Sequence, residues 1–234
     1  MSLLTDTDLR SMICSEQEWT DKNKIHIYPF LDNNLTPVGY DLSVGDSYAS
    51  ASKPGRIDIK AGDRVSIKPG DTVLITTLEK IGMPKNRTVS ALVLSKVSKV
   101  SKGLSHISTT IDPDWKGELL VAIHNHSRIS VSIGYGETFC TVVFLENKSP
   151  ATKDCGKDQR RADILVNEWT EVVRKSNKRL KIKETVESLI PIGIILIFGI
   201  IGYRIFGNSP GFGTMTTVGI ALSQIALSLL IKRK

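Results

Sequence analysis

Apolar positions recur along this chain with two different rhythms. Between residues 25 and 145 they come in short runs, at 25–28, 40–44, 57–59, 64–67, 72–77, 89–94, 119–123, 129–133 and 139–145. Turn-forming stretches separate them: Lys53-Pro-Gly55, Ala61-Gly-Asp63, Lys68-Pro-Gly-Asp71 and Gly134-Tyr-Gly136. Short β-type runs at about 8–12 residue spacing predict a sandwich or barrel, and about 125 residues suffice for one β core. Ahead of them, residues 3–18 read as a short amphipathic helix that Thr5 or Asp6 would cap. Behind them, Leu165, Trp169, Val172, Val173 and Leu180 recur at roughly helical spacing in a charged stretch. That spacing predicts a linking helix over 158–187, or a coiled-coil-like seam in an oligomer.

The second rhythm begins where this helix ends. Residues 188–203 and 215–231 are apolar nearly all round, whereas a core helix carries a polar stripe. At 16 and 17 residues, they sit at the lower edge of the roughly 17–25 residues that a spanning helix needs. A Gly/Pro-rich stretch at 204–213 joins them, so the expectation is a two-span membrane hairpin. Gly193, Gly199, Gly202, Gly219 and Ser223 suit close helix contacts in lipid. Gln224, in mid-run, should face another helix rather than lipid. Three segments result: 1–150, a linking helix over 151–187, and a hairpin over 188–234.

Charge sharpens this division. The formal net charge is +7, which would suggest a nucleic-acid partner if it lay on the β part. Residues 1–150, however, hold 17 basic and 17 acidic side chains. The excess sits at 151–187, at Arg204 and at Lys232-Arg233-Lys234. Basic residues beside a bilayer are each worth about 1 kcal/mol against anionic lipid, so the partner implied is a membrane and not nucleic acid. Arg174, Lys175, Lys178, Arg179, Lys181 and Lys183 precede the first span and three basic residues follow the second. The positive-inside rule then places the N-terminal domain and the C-terminus in the cytoplasm, at the inner (plasma) membrane. The polar N-terminus is not expected to act as a secretory signal. Cys14, Cys140 and Cys155 are odd in number and lack metal spacing, as expected in a reducing compartment.

Four segments carry candidate chemistry: Pro37-Val-Gly-Tyr-Asp-Leu42, the Ser-Lys repeat of 94–103, Thr109-Thr-Ile-Asp-Pro-Asp-Trp-Lys-Gly117, and 134–141. Singly, each has a plain reading as a turn or solvated loop. His124-Asn-His126 puts two imidazoles on one side of a strand, but no third metal ligand accompanies them, and no metal site is expected.

In this order the segments resemble the trimeric dUTPase and dCTP deaminase superfamily, over about residues 3–147. Leu4-Thr-Asp-Thr-Asp-Leu-Arg10, Ile25-His-Ile-Tyr-Pro-Phe30, Leu35-Thr-Pro-Val-Gly-Tyr-Asp-Leu42 and Ile67-Lys-Pro-Gly-Asp-Thr-Val-Leu74 look most like the deaminase branch. Ile111-Asp-Pro-Asp-Trp-Lys-Gly-Glu-Leu119, with Asn125 after it, fits both branches. The resemblance implies a mainly β, distorted barrel or jelly roll, assembled as a homotrimer with nucleotide sites between subunits. It implies that Asp112 is the base that orients the attacking water in a dUTPase, and that Trp115 packs on the deoxyribose. In the phosphate-binding segment Ser95 is kept, but Leu94 stands where the family has arginine. Lys96, Lys99 and Lys102 remain as sources of positive charge, without the guanidinium fork. Ala122 stands where the deaminases carry their proton-shuttling glutamate, with Glu118 four residues early. Thr141 replaces a phosphate-contacting glutamine. Pro210-Gly-Phe-Gly213 only superficially resembles the family's closing arm. No cofactor is implied beyond Mg2+ accompanying nucleotide phosphates.

A nucleotide-site framework short of catalytic side chains, tied to a hairpin, reads as a sensor of a deoxynucleotide or cyclic dinucleotide that controls a transmembrane effector assembly. Such pairings look like bacterial antiviral effectors. The rival reading is a membrane-attached dUTP diphosphatase, or less readily a dCTP deaminase; a third is a scaffold with an empty site.

Overall fold

The structure is a computed structural model that describes residues 2–52, 55–153 and 161–232. The strands are β1 (Ser2–Leu3), β2 (Ile13–Cys14), β3 (Ile25–Tyr28), β4 (Leu35–Thr36), β5 (Gly39–Ser50), β6 (Ile57–Asp58) and β7 (Arg64–Ile67). They continue as β8 (Thr72–Gly82), β9 (Val89–Ser95), β10 (Leu104–His106), β11 (Thr110–Ile111), β12 (Lys116–Asn125), β13 (Val131–Gly134) and β14 (Thr138–Glu146). The helices are α1 (Asp6–Met12), α2 (Val97–Val100), α3 (Arg161–Phe206) and α4 (Pro210–Lys232). The chain divides into two compact units, Met1–Glu171 and Val172–Lys234.

In the first unit β10-β12-β8-β5-β14-β9-β11 form the main path of a 12-stranded sheet, and β13 pairs separately with β7. The architecture is mainly β, as expected, but the barrel does not close. Consecutive β10 and β11 pair with different neighbours, β12 and β9, and so end the path unjoined. Alternation drives the folding. Odd-numbered Leu119, Val121 and Ile123 of β12 are buried, while the even positions between them are only half-buried. Fully buried Tyr40, Leu42, Ile67, Ile75, Ile81, Val93 and Phe144 fill the core, each side chain contributing about 1.5–3 kcal/mol by leaving water. The Tyr40 hydroxyl accepts from the Leu31 N–H at 2.9 Å, and burial pushes its pKa up to about 12.

The N-terminal helix is shorter than expected, 6–12 instead of 3–18. Thr5 caps it in a capping box with Asp8, as its sequence suggests. At Ile13 the backbone turns extended (φ −85°, ψ 134°), because residues 13 and 14 pair in parallel with Ile25 and His26. Tertiary strand pairing overrides local helix propensity here.

The second unit contains the apolar stretches Thr185–Phe206 and Pro210–Leu230, long and apolar enough to cross a membrane. α3 runs unbroken through Pro191. The expected start of the linking helix at Asp158 lies outside the described residues, as do Cys155, Arg233 and Lys234. Pro210-Gly-Phe-Gly213 forms the first turn of α4, where proline's missing N–H costs nothing.

Candidate functional site

Strand pairing brings distant family positions into one row. Leu94 on β9 lies opposite Thr141 on β14, which lies opposite Asp41 on β5. The two positions where the expected arginine and glutamine are missing are therefore neighbours. The Thr141 hydroxyl donates to Asp41 at 2.6 Å. The Lys96 ammonium ion-pairs with the same carboxylate and donates to Thr138 Oγ1 at 3.0 Å. Lys96 follows the last residue of β9 and brings a cation beside a row that has none at position 94, but Asp41 already holds it.

Lys99 is likewise engaged. The Ser-Lys repeat, a solvated loop by composition, contains the short helix α2, and Lys99 is buried within it. Its ammonium pairs with Glu137. Burial would raise the Glu137 pKa, but the Gly134 N–H, Lys99 and Arg64 outweigh it and hold the carboxyl below the usual range. Lys102 is exposed, with no ion pair among the described residues. Of the three lysines expected to meet phosphate, two are neutralised internally.

Ser95 is committed too. His106 Nε2 lies 2.8 Å from the Val93 carbonyl; a carbonyl only accepts, so Nε2 carries the proton. In the neutral imidazole Nδ1 is then the acceptor, with Ser95 Oγ donating to it at 2.5 Å. The adjoining slot, bounded by Ser95, Lys99, His106 and Phe139, has a cavity volume of about 10 Å³. That is smaller than the roughly 300–1,000 Å³ of a small-molecule pocket.

Asp112 and Trp115 lie elsewhere in the protomer. Ile111 pairs with Ala91, four residues before Ser95, or about 13 Å along the strand. Asp112 follows Ile111 on the side away from Ser95. It is exposed on the turn, whose backbone closes by Trp115 N–H donating to the Asp112 carbonyl at 3.0 Å. Trp115 packs against the core, with Nε1 3.4 Å from the Gly117 carbonyl. One chain does not unite Asp112 with Ser95.

Ala122 lies opposite Leu74 on β8, on the half-buried face of β12. Glu118 shares that face but lies about 13 Å away along the strand, 3.8 Å from Lys80. Glu118 therefore does not reach the position of Ala122. Asn125 is structural: fully buried, it donates to the Ile67 and Ile129 carbonyls at 2.8 Å each. His124 and His126 meet edge to face, with ring centroids 4.3 Å apart. Their outward nitrogens bond Thr72 and Ser105, and no cluster of three or more metal-binding side chains exists among the described residues.

Sequence reasoning missed Asp41 and His106 as site neighbours. Asp41 lay in a recognised segment; His106 carried no signal, being paired only through the fold. It also missed Trp19, around which two open clefts lie. Lys22 lies 4.7 Å from that indole's centroid and His26 stacks on it at 5.9 Å, and the ring itself is buried, at 8% exposure.

Residues 4–147 match the family model described as dCTP deaminase-like. The dCTP deaminase of Thermococcus kodakarensis is 35% identical over 136 residues, covering 57% of this chain and 84% of that protein. A crystal structure of 2'-deoxycytidine 5'-triphosphate deaminase from Agrobacterium tumefaciens superposes with a TM-score of 0.50 at 15% identity. The match covers 62% of this chain and about half (48%) of that one. A Staphylococcus bacteriophage 80alpha dUTPase matches at 17% identity and a TM-score of 0.39, over 58% of this chain and 98% of its own.

Proposed function

Because this chain belongs to the dCTP deaminase-like family, we propose that residues 1–150 are a nucleotide-binding sensor whose occupancy controls a membrane assembly built from 188–234, coupled through the helix of 151–187. The observation that carries this reading is Ala122. An alanine cannot shuttle the proton that deamination requires, and Glu118 lies about 13 Å along the strand from it. Leu94 and Thr141 in one row, with Lys96 neutralised by Asp41, further support binding without turnover.

In this reading the protein is a homotrimer at the inner membrane, with its N-terminal domain and C-terminus cytoplasmic. Trimerisation would set Asp112 and Trp115 of one copy beside Ser95 of another and gather six spans. The ligand is a deoxynucleotide or cyclic dinucleotide, with Mg2+ on its phosphates. Binding acts as a switch only if it favours one arrangement of the spans. A role as an effector in bacterial antiviral defence follows by analogy with other sensor–membrane pairings.

Exposed Asp112 favours one alternative, a membrane-bound dUTP diphosphatase. Full-length protein in detergent, heated with dUTP, dCTP or cyclic dinucleotides and assayed for products, separates the two. The sensor reading expects at least one nucleotide to raise the Tm, with neither deamination nor pyrophosphate release. Pyrophosphate release from dUTP that disappears in Asp112→Asn establishes the diphosphatase instead. If no nucleotide raises the Tm, both fail.

A further inference from the structure

α4 presents two unlike faces. One packs on α3, where Gly219 and Ser223 are buried. The contact is close: a Cβ on Gly219 would lie 2.7 Å from Phe198 Cβ, and one on Gly202 2.9 Å from Met215 Cβ. At about 100° per residue, Gly213, Thr217, Ala221, Gln224 and Ser228 fall on a second face, about 140° round the helix from Gly219 and Ser223. All five are exposed.

The hydroxyls on this face are satisfied within the helix. Thr217 donates to the Gly213 carbonyl and Ser228 to the Ile225 carbonyl, each at 2.8 Å. Gln224 differs: its amide makes no hydrogen bond among the described residues, although it was expected to face another helix. Flanking Ile220, Ile225 and Leu227 are exposed and apolar. In hydrocarbon, lipid tails offer an amide no partner, and α3 lies against a different face of α4.

We propose that this second face of α4 turns towards the same face of neighbouring copies of the chain, with the Gln224 amides pairing across the contact. A carboxamide offers both donor and acceptor, so it complements itself. Gly213, Thr217 and Ala221, at four-residue spacing, let two backbones approach closely. The inference rests on the membrane reading of α4 given above, and not on nucleotide binding.

Oxidative cross-linking of the full chain in membranes tests it, in a Cys155→Ser background; Cys14 and Cys140 are buried. Ala221→Cys sits on the Gln224 face, and Leu222→Cys about a quarter-turn away. Cross-linking between copies is expected at 221 and not at 222. Adding Gln224→Leu should lower the yield about threefold to tenfold, as for loss of an interhelical hydrogen bond in a bilayer, and Gln224→Asn should restore it. Equal cross-linking at both positions, or indifference to Gln224→Leu, overturns the contact in a protein that resists carbonate extraction. Release by carbonate without detergent overturns the membrane reading and the contact together.

Discussion

Lys96 and Asp41, 55 residues apart in sequence, form an ion pair whose carboxylate also accepts from Thr141 at 2.6 Å. The pair adjoins the row of Leu94 and Thr141, the two positions where the sequence resemblance leads one to expect a phosphate-binding arginine and glutamine. A bound phosphate must therefore compete with a carboxylate for Lys96.

Asp41→Asn tests that competition. The side chains of Lys96 and Asp41 are only 20% and 12% exposed, so losing one partner leaves a largely buried ammonium. The variant is expected to lose about 1–3 kcal/mol of stability, measured by denaturation of the full chain. Nucleoside triphosphates should then raise its Tm more than that of the parent protein. An equal ligand shift would show that Asp41 does not restrain Lys96.

Glu79 predicts a pH dependence. It is 1% exposed, with one oxygen accepting the Ser43 N–H at 2.8 Å and the other, Oε1, without a partner. Burial, chiefly, raises its pKa. The folded chain thus keeps this proton at pH values where the unfolded chain has released it. Stability that is intact below the usual carboxylate range falls as pH rises through it. Glu79→Gln should flatten that fall, gaining on the parent protein in Tm from about pH 4 to pH 8. Parallel Tm–pH curves would refute it.

Gly39 begins β5, where a Cβ would lie 2.3 Å from the Val142 carbonyl oxygen. Backbone cannot yield as a side chain can, so Gly39→Ala should cost about 1–3 kcal/mol or more. Because Gly39 adjoins Tyr40 and Asp41, nucleotide-induced Tm shifts should weaken as well. A variant as stable as its parent would mean that β5 and β14 separate more readily than their pairing implies.

Much of the fold is legible in the sequence. Strands 25–28 and 64–67 have the bounds their apolar runs suggested, and Thr5 caps α1. The failures share a cause. β1, β2, β4 and β11 are two residues long and β10 three, too short to show a period. β5 runs on to Ser50 through an irregularity in its pairing with β8, where a Cβ on Gly45 would lie 2.6 Å from the Thr77 carbonyl oxygen. Such a bulge depends on the partner strand and leaves no pattern in its own segment.

The candidate site divides in the same way. Leu94, Ala122 and Thr141 stood out by type and order alone, because they depart from a recognisable motif. Their placement did not: 100 residues separate Asp41 from Thr141, and only sheet register sets them side by side. The sequence by itself determined the mainly β class, the capped N-terminal helix, the two long apolar helices and the absence of a carboxylate at 122. These depend on residue type and near-neighbour spacing, which a linear chain displays. Only the packed fold makes Lys96 and Lys99 neutralised, sets Ser95 in a hydrogen bond with His106, holds Asp112 apart from them, and leaves Gln224 without a hydrogen bond among the described residues. Each is a short-range polar interaction between segments far apart in sequence, or the lack of one, and it exists only once packing has set their distance.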